Sequence, residues 1–126
     1  MIKKIISTDN APFAIGPYSQ AILAGNMLFT SGQIAIDPKT GALNMGSVEE
    51  ETTQVMNNMS AVLSESGATF ENVVKTSIFL KNMGDFNTVN EIYASYFEAD
   101  YPARETVQVA KLPKDVNVEI SMIALL

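Results

Sequence analysis

Strand-like and helix-like patterns alternate along this chain, and their order narrows the folds that it can adopt. The patterns predict short strands up to residue 36, a helix over about residues 48–66, a strand over 73–80, a second helix over 86–98 and two C-terminal strands. Ser47 is predicted to begin the first helix and Asp85 to cap the second. This order indicates one α+β domain over residues 1–126, with both helices on one face of a mixed sheet.

The second face of the predicted sheet is left without a cover. Each helix carries one apolar stripe, so the two helices cover one face. Residues 27–29 and 78–80 are nevertheless apolar on both sides of their strands. The second face therefore needs a partner chain, and we expect an oligomer.

Two N-terminal stretches interrupt the regular patterns. Gly16 and Pro17 force an irregular backbone, which holds Tyr18 in a loop or at a strand start. Gly32 lies inside a long strand predicted over residues 27–36 and indicates a bulge or a close approach of a ligand to the backbone. A simple turn and a simple bulge are the plainer interpretations.

The chain contains neither cysteine nor histidine, and this restricts its chemistry. Thiolate nucleophiles, imidazole bases, Ser-His triads and nearly all zinc or iron sites are excluded. The formal charge is −6 and the basic residues are scattered, which argues against nucleic-acid binding. No stretch has the length of a membrane span or of a signal peptide, so we expect a cytoplasmic protein.

The two C-terminal strands hold the charged residues of most interest. Residues 102–113 alternate from Arg104 on, which places Arg104 and Thr106 on one face. The next strand, residues 116–122, has Glu119 on its polar face. We expect these strands to be neighbours, with Arg104 and Glu119 beside one cleft. Arg104 could then bind a carboxylate through two hydrogen bonds, and Glu119 could hold and deprotonate a water.

The plainer interpretation of Arg104 and Glu119 is a surface ion pair of little energetic value. Most charged side chains are solvated, so spacing alone favours this interpretation. Arg104 is, however, the only arginine in the chain, and it gives an acidic protein a local positive site.

Four motifs, in this order and at this spacing, make the chain similar to a known family. They read AIGPYSQ at residues 14–20, TSGQI at 30–34, DFNTVN at 85–90, and PAR at 102–104 with LPKDVNVEI at 112–120. With them the chain resembles the RidA-type reactive intermediate deaminases over essentially its full length.

The resemblance implies a chorismate-mutase-like α+β fold and a homotrimer, with the sheets around a central barrel and the helices outside. Three sites would lie in the clefts between subunits. The implied activity is hydrolysis of short-lived enamines and imines, such as 2-aminoacrylate, to 2-keto acids and ammonia. Pyridoxal-phosphate enzymes release these intermediates, and the deaminase itself would use no cofactor and no metal.

The resemblance also implies roles for individual residues. Arg104 would anchor the substrate carboxylate, assisted by the backbone at Thr106. The amide of Gly32 would approach the imine end, and Glu119 would position the attacking water and relay protons. The pocket would be shaped by Tyr18, Ser31, Phe86 and Asn90.

Two positions depart from the family pattern. Thr106 stands where many relatives carry a cysteine, and the implied mechanism does not need a thiol there. Glu105 stands where a small residue is usual, and strand alternation predicts that it points away from Arg104.

Two other functions remain open at this level. The same cleft could bind a keto acid or another small carboxylate without turnover, in a trimer that regulates a partner. Glu119 separates the two hypotheses, because water activation needs it and carboxylate binding does not. A ribonuclease or translation inhibitor is the third hypothesis, and the missing histidines and dispersed lysines argue against it.

Overall fold

The computed structural model of the chain describes residues 2–126. Six strands and two α-helices follow one another in these residues. The elements are β1 (Lys3–Ile6), β2 (Ala21–Ala24), β3 (Met27–Thr30), α1 (Val48–Glu65), β4 (Val73–Leu80), α2 (Phe86–Ala94), β5 (Ala103–Gln108) and β6 (Val118–Leu125).

The six strands form one mixed sheet in the order β1-β2-β3-β6-β4-β5. The β4–β5 pair is parallel and is connected through α2, whereas the other pairs are antiparallel. In this order β6 lies between β3 and β4, so the C-terminal strand joins the N-terminal hairpins to the helical half of the chain.

Both helices pack on one face of the sheet, which confirms the predicted α+β layers. Val55, Met59 and Leu63 of α1 are fully buried, and the core cluster also contains Val89 and Tyr93 of α2. The sheet contributes the alternate residues that face the helices, namely Ile78, Leu80, Val118, Ile120, Met122 and Ala124. Complete burial of one such aliphatic side chain contributes about 1.5–3 kcal/mol.

The opposite face, here called the open face, carries exposed apolar side chains. Phe29, Val107 and Leu125 keep 44%, 40% and 45% of their surface exposed. Phe29 pairs with Ile123, so apolar residues are adjacent across strands on this face. An apolar strand face in water is typical of a surface that packs against another chain.

The second helix differs from its prediction at both ends. Asp85 forms no side-chain capping bond; the chain instead enters α2 through a short 3-10 turn, Met83–Asp85, where the Asn82 side chain accepts from the Gly84 N–H at 2.8 Å. The helix stops at Ala94 rather than near residue 98. It stops there because the Ser95 hydroxyl donates to the Ile92 carbonyl, and the following amides tighten into 3-10 bonds.

The long strand predicted over residues 27–36 ends early, at Thr30. There the Thr30 side chain accepts from the Met122 N–H at 2.9 Å, in place of a backbone carbonyl. The ladder resumes for one bridge, between Gln33 and Ile120. Gly32 therefore lies in an irregular segment beside β6, as its interruption of the pattern predicted.

Candidate active site

Arg104 is held on the helix-covered face of the sheet by side chains of α2. It pairs with Thr76 on the neighbouring strand β4. Its Nη1 donates to Asn90 Oδ1 at 2.7 Å, and its guanidinium carbon lies 5.6 Å from the Phe86 ring centre and 5.2 Å from the Tyr93 ring centre. Three side chains of α2 thus contact the guanidinium, one through a hydrogen bond and two through aromatic rings.

A cavity of about 440 Å³ lies beside Arg104. Its lining consists of Asn90, Tyr93, Ala94, Tyr101, Pro102 and Arg104. Burial raises the pKa of the Tyr93 phenol, although the hydrogen bond with Thr76 and the Arg104 charge oppose this rise. Because a guanidinium carries five N–H donors and Asn90 takes one, Arg104 has donors to offer a carboxylate here.

Glu119 lies on the open face, in a second cavity of about 420 Å³. Tyr18, Ser31, Gly32 and Lys114 line the same cavity. Burial raises the pKa of the Glu119 carboxyl above its ordinary value. A glutamate of this kind exchanges protons closer to neutral pH than an exposed one, which suits a general acid or base.

Local bonds bring Tyr18 and Ser31 to Glu119. The Tyr18 N–H donates to the Gly16 carbonyl at 2.8 Å and closes a tight turn, which places the half-exposed Tyr18 ring at the cavity. The Ser31 hydroxyl donates to the Ser19 carbonyl at 2.5 Å and ties this turn to the end of β3. The structure brings Tyr18 and Ser31 together at Glu119, whereas Phe86 and Asn90, which the resemblance also assigned to the pocket, contact Arg104.

Gly32 leaves room for the Glu119 carboxyl. A Cβ atom built on Gly32 would lie 2.7 Å from Glu119 Cδ, closer than two carbons approach. The glycine is thus required by contact with the carboxyl rather than by a positive backbone φ angle. The group that approaches the backbone at Gly32 in the structure is the Glu119 carboxyl; the approach of a ligand there stays a prediction.

The prediction that Arg104 and Glu119 lie beside one cleft is wrong for a single chain. Their strands, β5 and β6, are separated by β4. Arg104 pairs with Thr76 and Glu119 pairs with Phe79, an odd offset that sends the two side chains to opposite faces. The order of strands, which local patterns do not encode, is the physical reason for the difference.

A family model described as Endoribonuclease L-PSP matches residues 8–126. The chain belongs to this family.

The relatives of this chain include proteins named as deaminases. The chain is 50% identical over 125 residues to the human 2-iminobutanoate/2-iminopropanoate deaminase, covering 99% of this chain and 91% of that protein. It is 52% identical to the chloroplastic Reactive Intermediate Deaminase A of Arabidopsis thaliana, covering 98% of this chain and 66% of that protein. The crystal structure of E. coli TdcF with bound serine superposes with a TM-score of 0.94 at 42% identity, covering 98% of each chain.

Three supporting residues of this L-PSP family member escaped sequence reasoning. The apolar period of α2 includes Tyr93, which indicates an ordinary core position, yet Tyr93 contacts Arg104. Buried Gln20 holds the loop before Tyr18, since its amide bonds the Thr8 N–H at 2.7 Å and the Pro12 carbonyl at 2.8 Å. Fully buried Glu51 is the third. A glutamate in the first turn of a helix ordinarily interacts with the helix dipole. The sequence position of Glu51 therefore does not indicate that it also binds the backbone before Glu119.

Glu51 fixes the backbone just before Glu119. Its carboxylate accepts from the Asn117 N–H at 2.8 Å, from Asn117 Nδ2 at 2.7 Å and from the Val118 N–H at 3.1 Å. A buried carboxylate with three donors is well satisfied. The start of β6, and with it the direction of Glu119, is therefore tied to α1.

The two departures from the family pattern have different surroundings. Glu105 points to the open face, as predicted, where it contacts Lys75 at 2.6 Å and accepts from the Ser77 hydroxyl. The hydrogen bond with Lys75, which has the larger effect, and the hydrogen bond with Ser77 lower the pKa of the Glu105 carboxyl. Thr106 lies on the Arg104 face, and its Oγ1 is buried without a hydrogen-bond partner among the described residues.

Two features, a cluster of metal ligands and a membrane-length apolar helix, are not found in residues 2–126. No group of three or more acidic side chains converges there in a way that could hold a metal ion. None of the helices in this range is both long and apolar enough to cross a membrane.

Proposed function

We propose that this protein hydrolyses reactive enamine and imine intermediates of the 2-aminoacrylate type to 2-keto acids and ammonia. The names of relatives at about half identity over nearly the whole chain support this activity. We propose that the protein acts in the cytoplasm, together with the pyridoxal-phosphate enzymes that release such intermediates.

The observation that carries the proposal is the separation of two complementary half-sites. The cavity at Arg104 offers a fixed cation for a carboxylate, and the cavity at Glu119 offers a partly buried carboxyl for a water. They lie on opposite faces of one sheet, so a site that uses both needs two copies of the chain. A homotrimer with its open faces around a central barrel, and three sites between subunits, supplies such pairs.

Arg104 binds the substrate carboxylate in this proposal. Asn90 and Phe86 hold the guanidinium, and the Thr106 backbone on the same strand face assists. The crystal structure of E. coli TdcF contains bound serine, a small amino acid with a carboxylate. A small 2-imino acid has the same carboxylate beside its reacting carbon.

Glu119 positions the attacking water. Tautomerisation turns the enamine into an imine, and water then adds to the C=N carbon; ammonia leaves and a C=O bond replaces the C=N bond. Glu119 takes a proton from the water as the C–O bond forms and returns one to the leaving nitrogen. The Gly32 amide lies at the reacting end, and Tyr18 and Ser31 limit the space around it.

A protonated imine is already a strong electrophile, so this reaction needs positioning more than activation. The chain positions the substrate and the water with one cation, one carboxyl and backbone amides. A ribonuclease would need acid–base groups suited to a phosphodiester and a basic surface for RNA. The absence of histidine and the net charge of −6 do not favour that activity.

The test is release of keto acid from 2-aminoacrylate that a serine dehydratase generates in the assay. Semicarbazide present in the same assay reports the imine that survives. We expect the wild-type protein to accelerate release and Arg104→Ala to abolish the acceleration while remaining folded and assembled. A folded, assembled wild-type protein that binds keto acids without accelerating release would instead support the binding module.

A further inference from the structure

Tyr93 lines the cavity beside Arg104, but the proposed reaction gives it no role. It is 3% exposed, on the buried side of α2, and touches neither Glu119 nor its cavity. Its ring centre lies 5.2 Å from the Arg104 guanidinium carbon. A buried aromatic ring is ordinarily core, so its contact with the only arginine of the chain asks for a separate explanation.

Tyr93 and Arg104 are fixed to the same rung of the sheet. The Tyr93 hydroxyl donates to Thr76 Oγ1 at 3.0 Å, and Thr76 is the residue that pairs with Arg104 across β4 and β5. The Tyr93 ring therefore lies beside Arg104 at this rung, with its centre 5.2 Å from the guanidinium carbon.

The contacts of Arg104 follow one stripe of α2. Phe86, Asn90 and Tyr93 stand four and then three residues apart, a spacing that puts side chains on one side of a helix. Two of them present rings and the middle one presents an amide oxygen. The rings restrain the plane of the guanidinium, while the amide sets which edge remains for a ligand.

We propose that Tyr93 is a positioning residue that holds the Arg104 guanidinium in the orientation in which it receives the substrate carboxylate. The inference rests on the proposed carboxylate-anchoring role of Arg104. Tyr93 itself does not touch the reacting atoms. By restraining the Arg104 side chain in the free protein, it reduces the conformational entropy that the side chain loses when a ligand binds.

Two variants and a matched control test this inference. Tyr93→Leu removes the ring, whereas Tyr93→Phe keeps the ring and removes only the hydroxyl. The control is Tyr96→Leu, the same substitution three residues on: Tyr96 also donates one hydroxyl bond, to Asn57 at 3.0 Å, and packs on Phe70 at 5.4 Å. This variant thus loses one hydroxyl bond and one ring contact away from Arg104, at a half-buried position.

The first readout does not depend on activity. Arg104 is the only arginine, so the Nε–Hε signal in a ¹⁵N-labelled sample belongs to one side chain. We expect Tyr93→Leu to move this signal toward the position of free arginine and to increase its mobility. Tyr93→Phe and Tyr96→Leu should leave it in place. An unmoved signal in a folded Tyr93→Leu protein would overturn the proposal.

The second readout separates binding from chemistry. Cation–ring contacts of this kind change affinity by roughly 3- to 20-fold, so KM and the keto-acid Kd should rise by that factor in Tyr93→Leu. The kcat should stay within about twofold, since carboxylate anchoring is the same in the ground and transition states. Tyr93→Phe should restore both constants. Equal weakening in Tyr96→Leu would show a general packing effect and contradict a specific role.

Failure of the inference is distinguishable from failure of the proposed function. A wild-type protein that hydrolyses no imine removes the proposed function, and the Arg104 signal still decides whether Tyr93 holds the guanidinium. Normal hydrolysis with an unmoved Arg104 signal and unchanged KM in Tyr93→Leu removes only the inference.

Discussion

Arg104 and Glu119 point to opposite faces of one sheet, because they pair with Thr76 and Phe79 of the strand that lies between them. A sheet keeps side chains at odd offsets on opposite sides whatever its twist. One chain therefore cannot bring both groups to one small substrate. Any reaction that uses both must draw them from two copies.

Mixing two inactive variants tests this directly. Arg104→Ala and Glu119→Gln should each be inactive as pure oligomers. Co-refolded at equal amounts, they should recover about a quarter of wild-type activity, since a random neighbour pair has that chance of combining intact Arg104 with intact Glu119. The measurement is keto-acid release by the mixture, with separately refolded and then mixed oligomers as control. No recovery in mixed oligomers would contradict a shared site.

Glu119→Gln should separate binding from turnover. The amide keeps the shape of the carboxyl but cannot accept the proton of water. We expect the keto-acid Kd to stay within about threefold while kcat falls about 100-fold or more. Calorimetric titration and steady-state kinetics give the two numbers. Loss of both together would remove the role assigned to Glu119.

The same variant should change how stability depends on pH. Burial raises the pKa of Glu119 in the folded state, so the folded protein binds more protons than the unfolded chain between the two pKa values. The contribution of Glu119 to the free energy of unfolding is full below the unfolded pKa and declines as pH rises through the folded pKa. Denaturant unfolding from pH 4 to 7 should show Glu119→Gln gaining stability relative to wild type as pH rises, and a constant difference would contradict the raised pKa.

Gly32→Ala should damage activity more than stability. The new Cβ would overlap the Glu119 carboxyl, which is the movable end of a side chain. The carboxyl then shifts, and we expect kcat to fall about 10- to 100-fold while the free energy of unfolding changes by less than about 1 kcal/mol. Gly16→Ala is the control, because a Cβ there meets the Tyr18 ring at an ordinary 3.6 Å. Equal losses in both variants would contradict a contact specific to Glu119.

Glu51→Ala should destabilise the whole domain. It leaves the partly buried Asn117 N–H and the buried Val118 N–H without their acceptor, and we expect a loss of about 3 kcal/mol. Glu49→Ala, an exposed position in the same turn of α1, should change stability by less than about 0.5 kcal/mol. Denaturant midpoints measure both. A small effect at Glu51 would show that water replaces the carboxylate.

Phe29→Glu should break the oligomer. Phe29 lies half-exposed on the open face, and a charge there prevents that face from being buried against another copy. Light scattering should report folded monomers for this variant and assemblies for wild type. Met45→Glu, at an exposed apolar residue in the loop before α1, is the control and should assemble normally. An intact Phe29→Glu oligomer would place the interface elsewhere.

The sequence by itself determined the secondary-structure elements and which side chains share a face within one strand. The periods of apolar residues predicted α1 and β4 almost to the residue, and alternation placed Glu105 opposite Arg104. These features depend on neighbours along the chain. Backbone geometry fixes which side chains share a face within one strand or helix, so a local pattern is enough to read them.

Tertiary structure alone decided which elements meet. The insertion of β4 between β5 and β6 separated Arg104 from Glu119, and packing turned Tyr93 from a stripe residue into a contact of Arg104. Glu51 reached the start of β6 across 66 residues. Such contacts depend on the free energy of the whole sheet and core, in which many pairings of similar local pattern compete. No single segment holds the information that selects among them.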